Sequence, residues 1–94
     1  METGIVVDTD IIIDYLKKRN PGAAFLKEAY LKYRIHITSI TVYELLYGVQ
    51  KSGMDIGVKD SFIAGICESH NMPLLTRNIN HFKRIPSIKL IVIK

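Results

Sequence analysis

The stretch Ile5-Val6-Val7-Asp8-Thr9-Asp10 joins a run of β-branched residues directly to two carboxylates. Three consecutive β-branched residues are typical of a strand that is buried on both faces of a parallel sheet. Thr9 or Asp10 can cap a helix that follows, because short polar side chains accept hydrogen bonds from the free N–H groups of a first turn. A buried strand that leads straight into a helix favours an α/β fold.

The rest of the sequence continues this alternation of strands and helices. Further strands are predicted at residues 34–38, 73–76 and 88–93. Further helices are predicted at residues 23–33, from Ser39 or Thr41 to about Gly48, and from Val58 or Lys59 to about His70. Such alternation favours a parallel sheet with helices on its faces. We therefore predict one domain over residues 1–94, with a three-layer α/β/α fold and a small parallel sheet.

The composition fits a small folded domain. Of the 94 residues, 48% are hydrophobic, and the net charge of +4 favours a polyanionic partner only weakly. Cys67 is the one cysteine, so no disulfide can form within the chain. The sequence contains no run of about 20 apolar residues and no secretion-signal pattern at its first residues. We therefore expect a cytoplasmic protein that does not contact a membrane.

Acidic side chains recur at the predicted strand ends and helix starts. They are Asp8, Asp10, Glu44 and Asp60. Because the carboxyl ends of parallel strands meet at one edge of a sheet, Asp8, Glu44 and the pair Arg77-Asn78 are expected to converge there. Clustered carboxylates repel one another unless a cation lies among them, and Mg²⁺ and Mn²⁺ prefer oxygen ligands. A metal held in this way can orient a phosphodiester and activate a water.

Each carboxylate also has a structural explanation. Asp8 fits a helix N-cap, and Glu44 fits a capping box with Thr41. Asp60 fits the first turn of a helix, where the helix dipole favours negative charge. Three such residues at one edge of one sheet are harder to explain in this way than any one of them alone.

Four segments of the sequence resemble the PIN-domain family. In chain order they are Val6–Asp10, Thr38–Leu45, Val58–Ala64 and Leu75–Phe82. They are most similar to the VapC-type toxin ribonucleases of that family, and together they span almost the whole chain. The resemblance implies a metal-dependent endoribonuclease that is usually silenced by a cognate antitoxin protein from the same operon.

The resemblance also implies which residues act. Asp8, Glu44 and Asp60 match three acidic positions of the family and would hold Mg²⁺ (or Mn²⁺), with Asp8 and Asp60 as direct ligands. Glu44 would bind the ion, through water or directly, or serve as the base toward the attacking water. Asn78 matches a fourth catalytic position and could hold a water, but it cannot serve as a base. His81 stands where many members carry another Asp.

Further polar residues surround the predicted site. Thr9 and Asp10 match polar positions behind the metal ligands of the family. Four cations that flank the site are the predicted RNA contacts, namely Lys59, Arg77, Lys83 and Arg84. Other cations between Lys17 and Arg34 can either track phosphates or form a solvated helix surface. The sequence leaves both readings open.

The segment between Glu44 and Asp60 is shorter than the family's pattern, which usually places a helical pair there. If the third helix ran directly back as the fourth, the two carboxylates would lie at opposite ends of the helix pair. An extended return of about ten residues, which reaches roughly 33 Å, would bring them together. Exchange of the second half between two copies would do so as well. We expect a homodimer, because the missing helices leave apolar surface uncovered.

Two other function classes compete with a ribonuclease. Val7-Asp8-Thr9-Asp10 also resembles the start of haloacid-dehalogenase-like phosphotransferases, but that family needs a lysine and a distal acidic pair of which Asp60 supplies only part. The other competitor is a catalytically inactive, shortened PIN-fold module that binds RNA or an antitoxin-like protein without cutting. The intact acidic residues favour the ribonuclease.

Overall fold

The computed structural model describes residues 3–47 and 56–91, and in residues 56–59 the backbone alone. Over these residues the chain forms three strands and five helices. They are β1 (Thr3–Val7), α1 (Thr9–Leu16), α2 (Gly22–Lys32), β2 (Tyr33–His36), α3 (Ser39–Tyr47), α4 (Ile56–Ser69), β3 (Leu74–Leu75) and α5 (Ile79–Phe82). None of these helices is both long and apolar enough to cross a membrane.

The strands form a parallel sheet in the order β2-β1-β3. The central position of β1 follows from its sequence, since Ile5, Val6 and Val7 are all buried and a central parallel strand is covered on both faces. The predicted fourth strand is reduced, in the described residues, to an isolated parallel bridge between Leu90 and Leu74. Residues 92 and 93 of that prediction lie outside the described residues.

Helices cover both faces of the sheet. On one face, Ile5 and Val7 pack with Ile11 of α1 and Ala29 of α2. On the other face, Val6 packs in a cluster with α4 and α5 residues, namely Ile63, Cys67 and Phe82. Neighbouring residues of β1 therefore serve opposite cores, as the alternation of side chains along a strand requires. The predicted three-layer α/β/α fold is confirmed.

Helix α1 is capped by Asp8, one of the three residues that the sequence offered for this role. Asp8 has an extended backbone, with ψ of 158°, and its Oδ1 accepts a hydrogen bond from the Thr9 N–H at 2.8 Å. The cap is therefore Asp8 and not Thr9 or Asp10. The strand ends at Val7, so Asp8 is the last extended residue, and a short acidic side chain there is well suited to cap.

The positions at which α3 and α4 begin rule out the structural explanations offered for Glu44 and Asp60. Thr38, and not Ser39 or Thr41, caps α3, because its Oγ1 accepts from the Thr41 N–H at 3.1 Å. A capping box built on Thr41 and Glu44 is therefore wrong. Helix α4 already begins at Ile56 and has no acidic residue in its first turn, so Asp60 is not a helix-start residue.

Candidate active site

A cleft of about 540 Å³ at the carboxyl ends of the strands collects the predicted site residues. Its acidic lining consists of Asp8, Asp10, Asp14, Glu44 and Asp60, and Asn78 lies among them. Asp8, Glu44 and Asp60 are buried, at 5%, 5% and 4% exposure, although each carries an ionisable group. The structure thus brings together, within one chain, the four residues that the sequence predicted to be catalytic.

Asp8 is held through both of its carboxylate oxygens. While Oδ1 caps α1, Oδ2 accepts a hydrogen bond from the Thr76 hydroxyl at 2.8 Å. Thr76 comes directly after β3, so this bond ties the ends of β1 and β3 together. The interpretation of Asp8 as an N-cap is confirmed, and the same carboxylate also lines the cleft.

Asp10 lies next to Asp8, and the sequence did not include it among the metal ligands. Its Oδ2 accepts from the Arg77 N–H at 3.1 Å and lies 3.4 Å from the Thr76 hydroxyl. Its Oδ1 is buried and has no hydrogen-bond partner among the residues described. Burial and the charge of Asp8 raise the pKa of Asp10 to about 6, although Arg77 acts in the opposite direction. A cation beside this pair would relieve both effects.

Thr9, the first residue of α1, forms a hydrogen bond with Glu44. The Thr9 hydroxyl donates to Glu44 Oε1 at 2.7 Å, and it also lies 2.8 Å from the Thr41 hydroxyl. All three side chains are buried. The contact holds the Glu44 carboxylate against Thr9, the residue that follows Asp8, instead of against the start of its own helix.

Asp60 lies against His81. His81 Nδ1 is in close contact with Asp60 Oδ2, and the same Nδ1 lies 3.3 Å from Asn78 Nδ2. The sequence left the role of His81 open; the fold places it on α5, beside a predicted metal ligand.

The predicted RNA contacts divide into three groups. Arg77 lines the cleft, where its Nε lies 2.7 Å from Asp14 Oδ2. Lys83 and Arg84 are exposed and are not among the described residues that line the cleft. The side chain of Lys59 lies outside the described part of the chain. The cleft instead includes two cations from the open group near α1, Lys17 and Arg19.

The oxygen ligands of the cleft suit a metal ion that keeps several of its waters better than an ion coordinated by protein atoms alone. Within residues 3–47 and 56–91, no three His, Cys, Asp or Glu side chains are grouped closely enough to hold one metal ion. Mg²⁺ is commonly bound through one or two carboxylates, with waters completing its coordination. The neighbouring carboxylates of Asp8 and Asp10 and the unpartnered Asp10 Oδ1 fit this mode.

The sequence matches a family model described as PIN domain over residues 5–58, which is more than half of the chain. The chain therefore belongs to the PIN-domain family. The matched segment contains Asp8, Asp10 and Glu44, whereas Asp60 lies two residues beyond it. The four sequence segments predicted this family, and the VapC-type members of it are the ones that they resemble most.

Two known proteins are similar to this chain. A protein of Rickettsia bellii (strain RML369-C) named Ribonuclease VapC is 30% identical over 70 residues, which cover 73% of this chain and 52% of that protein. The chain thus spans about half the length of this relative. The crystal structure of VapBC2 from Rickettsia felis bound to a DNA fragment from their promoter superposes with a TM-score of 0.76, over 98% of this chain and 100% of that chain. At 22% identity, this likeness shows the fold alone.

Proposed function

We propose that this protein is an endoribonuclease that uses Mg²⁺ or Mn²⁺, and that it is the toxin of a type II toxin–antitoxin pair. The observation that carries the proposal is the convergence of buried carboxylates on one cleft, since burial of like charges is costly without a cation. The fold by itself would not define an activity. The similarity to a protein named Ribonuclease VapC favours a nuclease.

We assign metal binding to Asp8, Glu44 and Asp60, and we add Asp10 because of its place beside Asp8. Asp8 and Asp10 are suited to hold the ion directly, and Glu44 and Asp60 to hold its waters. When bound, the ion would neutralise phosphate charge and promote ionisation of a water for attack on phosphorus. The donors are mainly carboxylate oxygens, which favour Mg²⁺ or Mn²⁺ over the Cys and His sites that zinc usually occupies.

Two side chains would act on the attacking water. Glu44 would accept its proton, with Thr9 fixing the carboxylate through the bond to Oε1. Asn78 would hold a water by hydrogen bonding, but an amide cannot take up a proton at neutral pH. Asp60 would keep His81 beside the cleft, where the imidazole can approach a ligand bound to Asn78.

A cognate antitoxin protein and a second copy of the chain are the proposed protein partners. The antitoxin is favoured by the fold neighbour from Rickettsia felis, which is a VapBC2 complex. The second copy is favoured by large exposed apolar side chains on α3 and α4, namely Val42, Tyr43, Leu46, Tyr47 and Phe62. A nuclease acting on cellular RNA would work in the cytoplasm.

The test is cleavage of structured RNA by the purified protein with Mg²⁺ and with EDTA. We expect cleavage only with the metal, and none by Asp60→Asn. Glu68→Gln is the matched control, because it removes an exposed carboxylate from the same helix outside the cleft. It should cleave like the original protein. Equal RNA integrity in all lanes would favour the PIN-fold module that binds without cutting.

A further inference from the structure

Three cations border the acidic cleft and give it a second, positive side. They are Lys17 and Arg19, which follow α1, and Arg77, which follows β3. We call these three residues the cationic rim. They come from two distant parts of the sequence, yet they face the same cavity as the carboxylates. The cleft is therefore lined by both signs of charge.

Arg77 is fixed at two points. Its side-chain Nε lies 2.7 Å from Asp14 Oδ2, and its backbone N–H donates to Asp10 Oδ2 at 3.1 Å. Asp14 is only 5% exposed, and a Cβ at residue 22 would lie 2.2 Å from its Oδ2. Asp14 can thus occupy its place because residue 22 is glycine. A guanidinium carries five N–H donors, so this ion pair leaves donors for a ligand.

The turn after α1 is fixed to the same residue. Lys18 has a left-handed backbone, with φ of 56°, and the next N–H, that of Arg19, donates to the Asp14 carbonyl at 2.7 Å. The Lys17 N–H donates to the Ile13 carbonyl at 2.9 Å. Asp14 therefore organises both segments of the cationic rim, one through its backbone and the other through its carboxylate.

We infer that the cationic rim binds an RNA phosphate adjacent to the one that is cleaved, and that Asp14 is the residue that positions Arg77 for this contact. The inference rests on the proposed function. A phosphate among the carboxylates needs a bridging cation, whereas its neighbour along the strand needs cations supplied by the protein. Contacts of this kind fix the register of a nucleic acid without reading its bases.

The test measures binding of a fluorescein-labelled, single-stranded RNA of mixed sequence by fluorescence anisotropy, with Asp60→Asn as the background to prevent cleavage. The rim variant replaces all three rim residues by Gln. The control variant removes the same charge through Lys27→Gln, Lys32→Gln and Arg34→Gln, which are exposed cations outside the cleft lining. In the described part of the chain, Arg77 pairs with the buried Asp14 and Lys32 with the exposed Glu28, so thermal melting is used to check that both variants fold.

The rim variant should bind RNA roughly tenfold more weakly at low salt, and its salt slope should fall by about 0.7, since each phosphate neutralised on a single strand contributes about this much. In the control variant, the loss of RNA affinity and the fall in salt slope should each be no more than about a third of those in the rim variant. Equal losses in the two variants would overturn the inference, because they would indicate a general charge effect.

The variant Asp14→Asn distinguishes a loss of Arg77 positioning from a general effect of net charge on RNA binding. It makes the protein more positive, so a general charge effect would tighten RNA binding, whereas loss of Arg77 positioning should weaken binding roughly threefold. Tighter binding by Asp14→Asn would contradict its assigned role. If this variant does not fold, Lys17→Gln with Arg19→Gln tests the rim alone. Cleavage by the otherwise unchanged protein tests the proposed function separately, and there the rim variant should raise KM with little change in kcat.

Discussion

The Thr9 hydroxyl connects α1 to α3, and the direction of its hydrogen bonds follows from the number of protons. Its one proton goes to Glu44 Oε1, so the Thr41 hydroxyl must donate to Thr9. The Thr38 hydroxyl in turn points at Thr41 at 3.4 Å, while it accepts from the Thr41 N–H. The hydroxyls of Thr38, Thr41 and Thr9 therefore form a row of hydrogen bonds that ends on Glu44. The orientation of the Glu44 carboxylate depends on all three hydroxyls.

Thr9→Val is the sharpest test of this row, because it keeps the shape of the side chain and removes the hydroxyl. We expect a loss of about 1–3 kcal/mol in unfolding free energy, since Glu44 and Thr41 lose a buried partner. We also expect a lower kcat for RNA cleavage. Thr9→Ser, which retains the hydroxyl, should restore most of both quantities. Denaturant unfolding and cleavage rates measure them, and equal kcat for the Val and Ser variants would contradict the role of Thr9.

Asp10 makes stability depend on pH. Its pKa is raised to about 6 in the folded protein from 3.8, so the folded state binds this proton more tightly than the unfolded chain does. The free energy of unfolding should therefore decrease as pH rises from about 4 to about 6, by about 1–2 kcal/mol after allowance for partial exposure. Melting temperatures measured across this range in EDTA provide the test.

Asp10→Asn is the matched variant for this pH effect. It should be more stable than the unaltered protein above pH 6, and its own stability should fall less over the range. An unchanged pH profile in the variant would mean that other groups control the acid side of the curve.

At the scale of secondary structure, helix α2 packs its first residue against Asp14 of α1. Gly22→Ala should destabilise the protein by about 1–3 kcal/mol, because the added Cβ would lie 2.2 Å from Asp14 Oδ2. Gly65→Ala on α4 is the control, since nothing lies within 4 Å of a Cβ there. It should stabilise by up to about 1 kcal/mol through helix propensity. Denaturant unfolding measures the free energy of unfolding of the two variants. Similar changes in both would contradict the close packing of residue 22 against Asp14.

The alternation of strands and helices could be predicted because each element carries its own pattern of apolar residues. The four-residue helix α5 could not, since Ile79–Phe82 is too short to show a helical period. For α1 the sequence offered Asp8, Thr9 and Asp10 as caps, and for α3 it missed Thr38, because a sequence does not show where extended backbone ends. At both Asp8 and Thr38, the last residue before the helix takes that role.

The predicted conflict between Glu44 and Asp60 does not arise in the described structure. Helix α3 ends at Tyr47 and α4 begins at Ile56, and both carboxylates line the same cleft of one chain. Exchange of halves between two copies is therefore not needed to unite them. The residues between the two helices, 48–55, lie outside the described residues.

At the scale of the whole molecule, the site joins residues that no local pattern could connect. Strand ends and the resemblance to a family together indicated Asp8, Glu44, Asp60 and Asn78. The sequence also placed Asp10 behind the metal ligands and Arg77 among the RNA contacts, but it left Lys17 and Arg19 open, because their place beside Asp14 and Arg77 arises only from the fold. The sequence thus located the acidic side of the cleft and one residue of its cationic side, and the fold added the other two.

Metal binding should stabilise the entire domain. At a concentration ten times its Kd, Mg²⁺ would add about 1.4 kcal/mol to the free energy of unfolding, and a domain of this size would melt about 5–10 °C higher. Asp8→Asn should abolish most of this rise, while Asn still caps α1. Thermal melting at pH 7 with and without Mg²⁺ measures the effect. An undiminished rise in the variant would place the ion elsewhere.

The bonds from Thr76 to Asp8 and from the Arg77 N–H to Asp10 also bear on synthesis of the chain. Asp8 and Asp10 are synthesised well before the groups that hold them, which follow 68 and 67 residues later in the chain. A nascent chain would thus carry these two carboxylates without the geometry to use them. If the chain is the ribonuclease that we propose, this delay would protect the message and the translating ribosome until the site is complete.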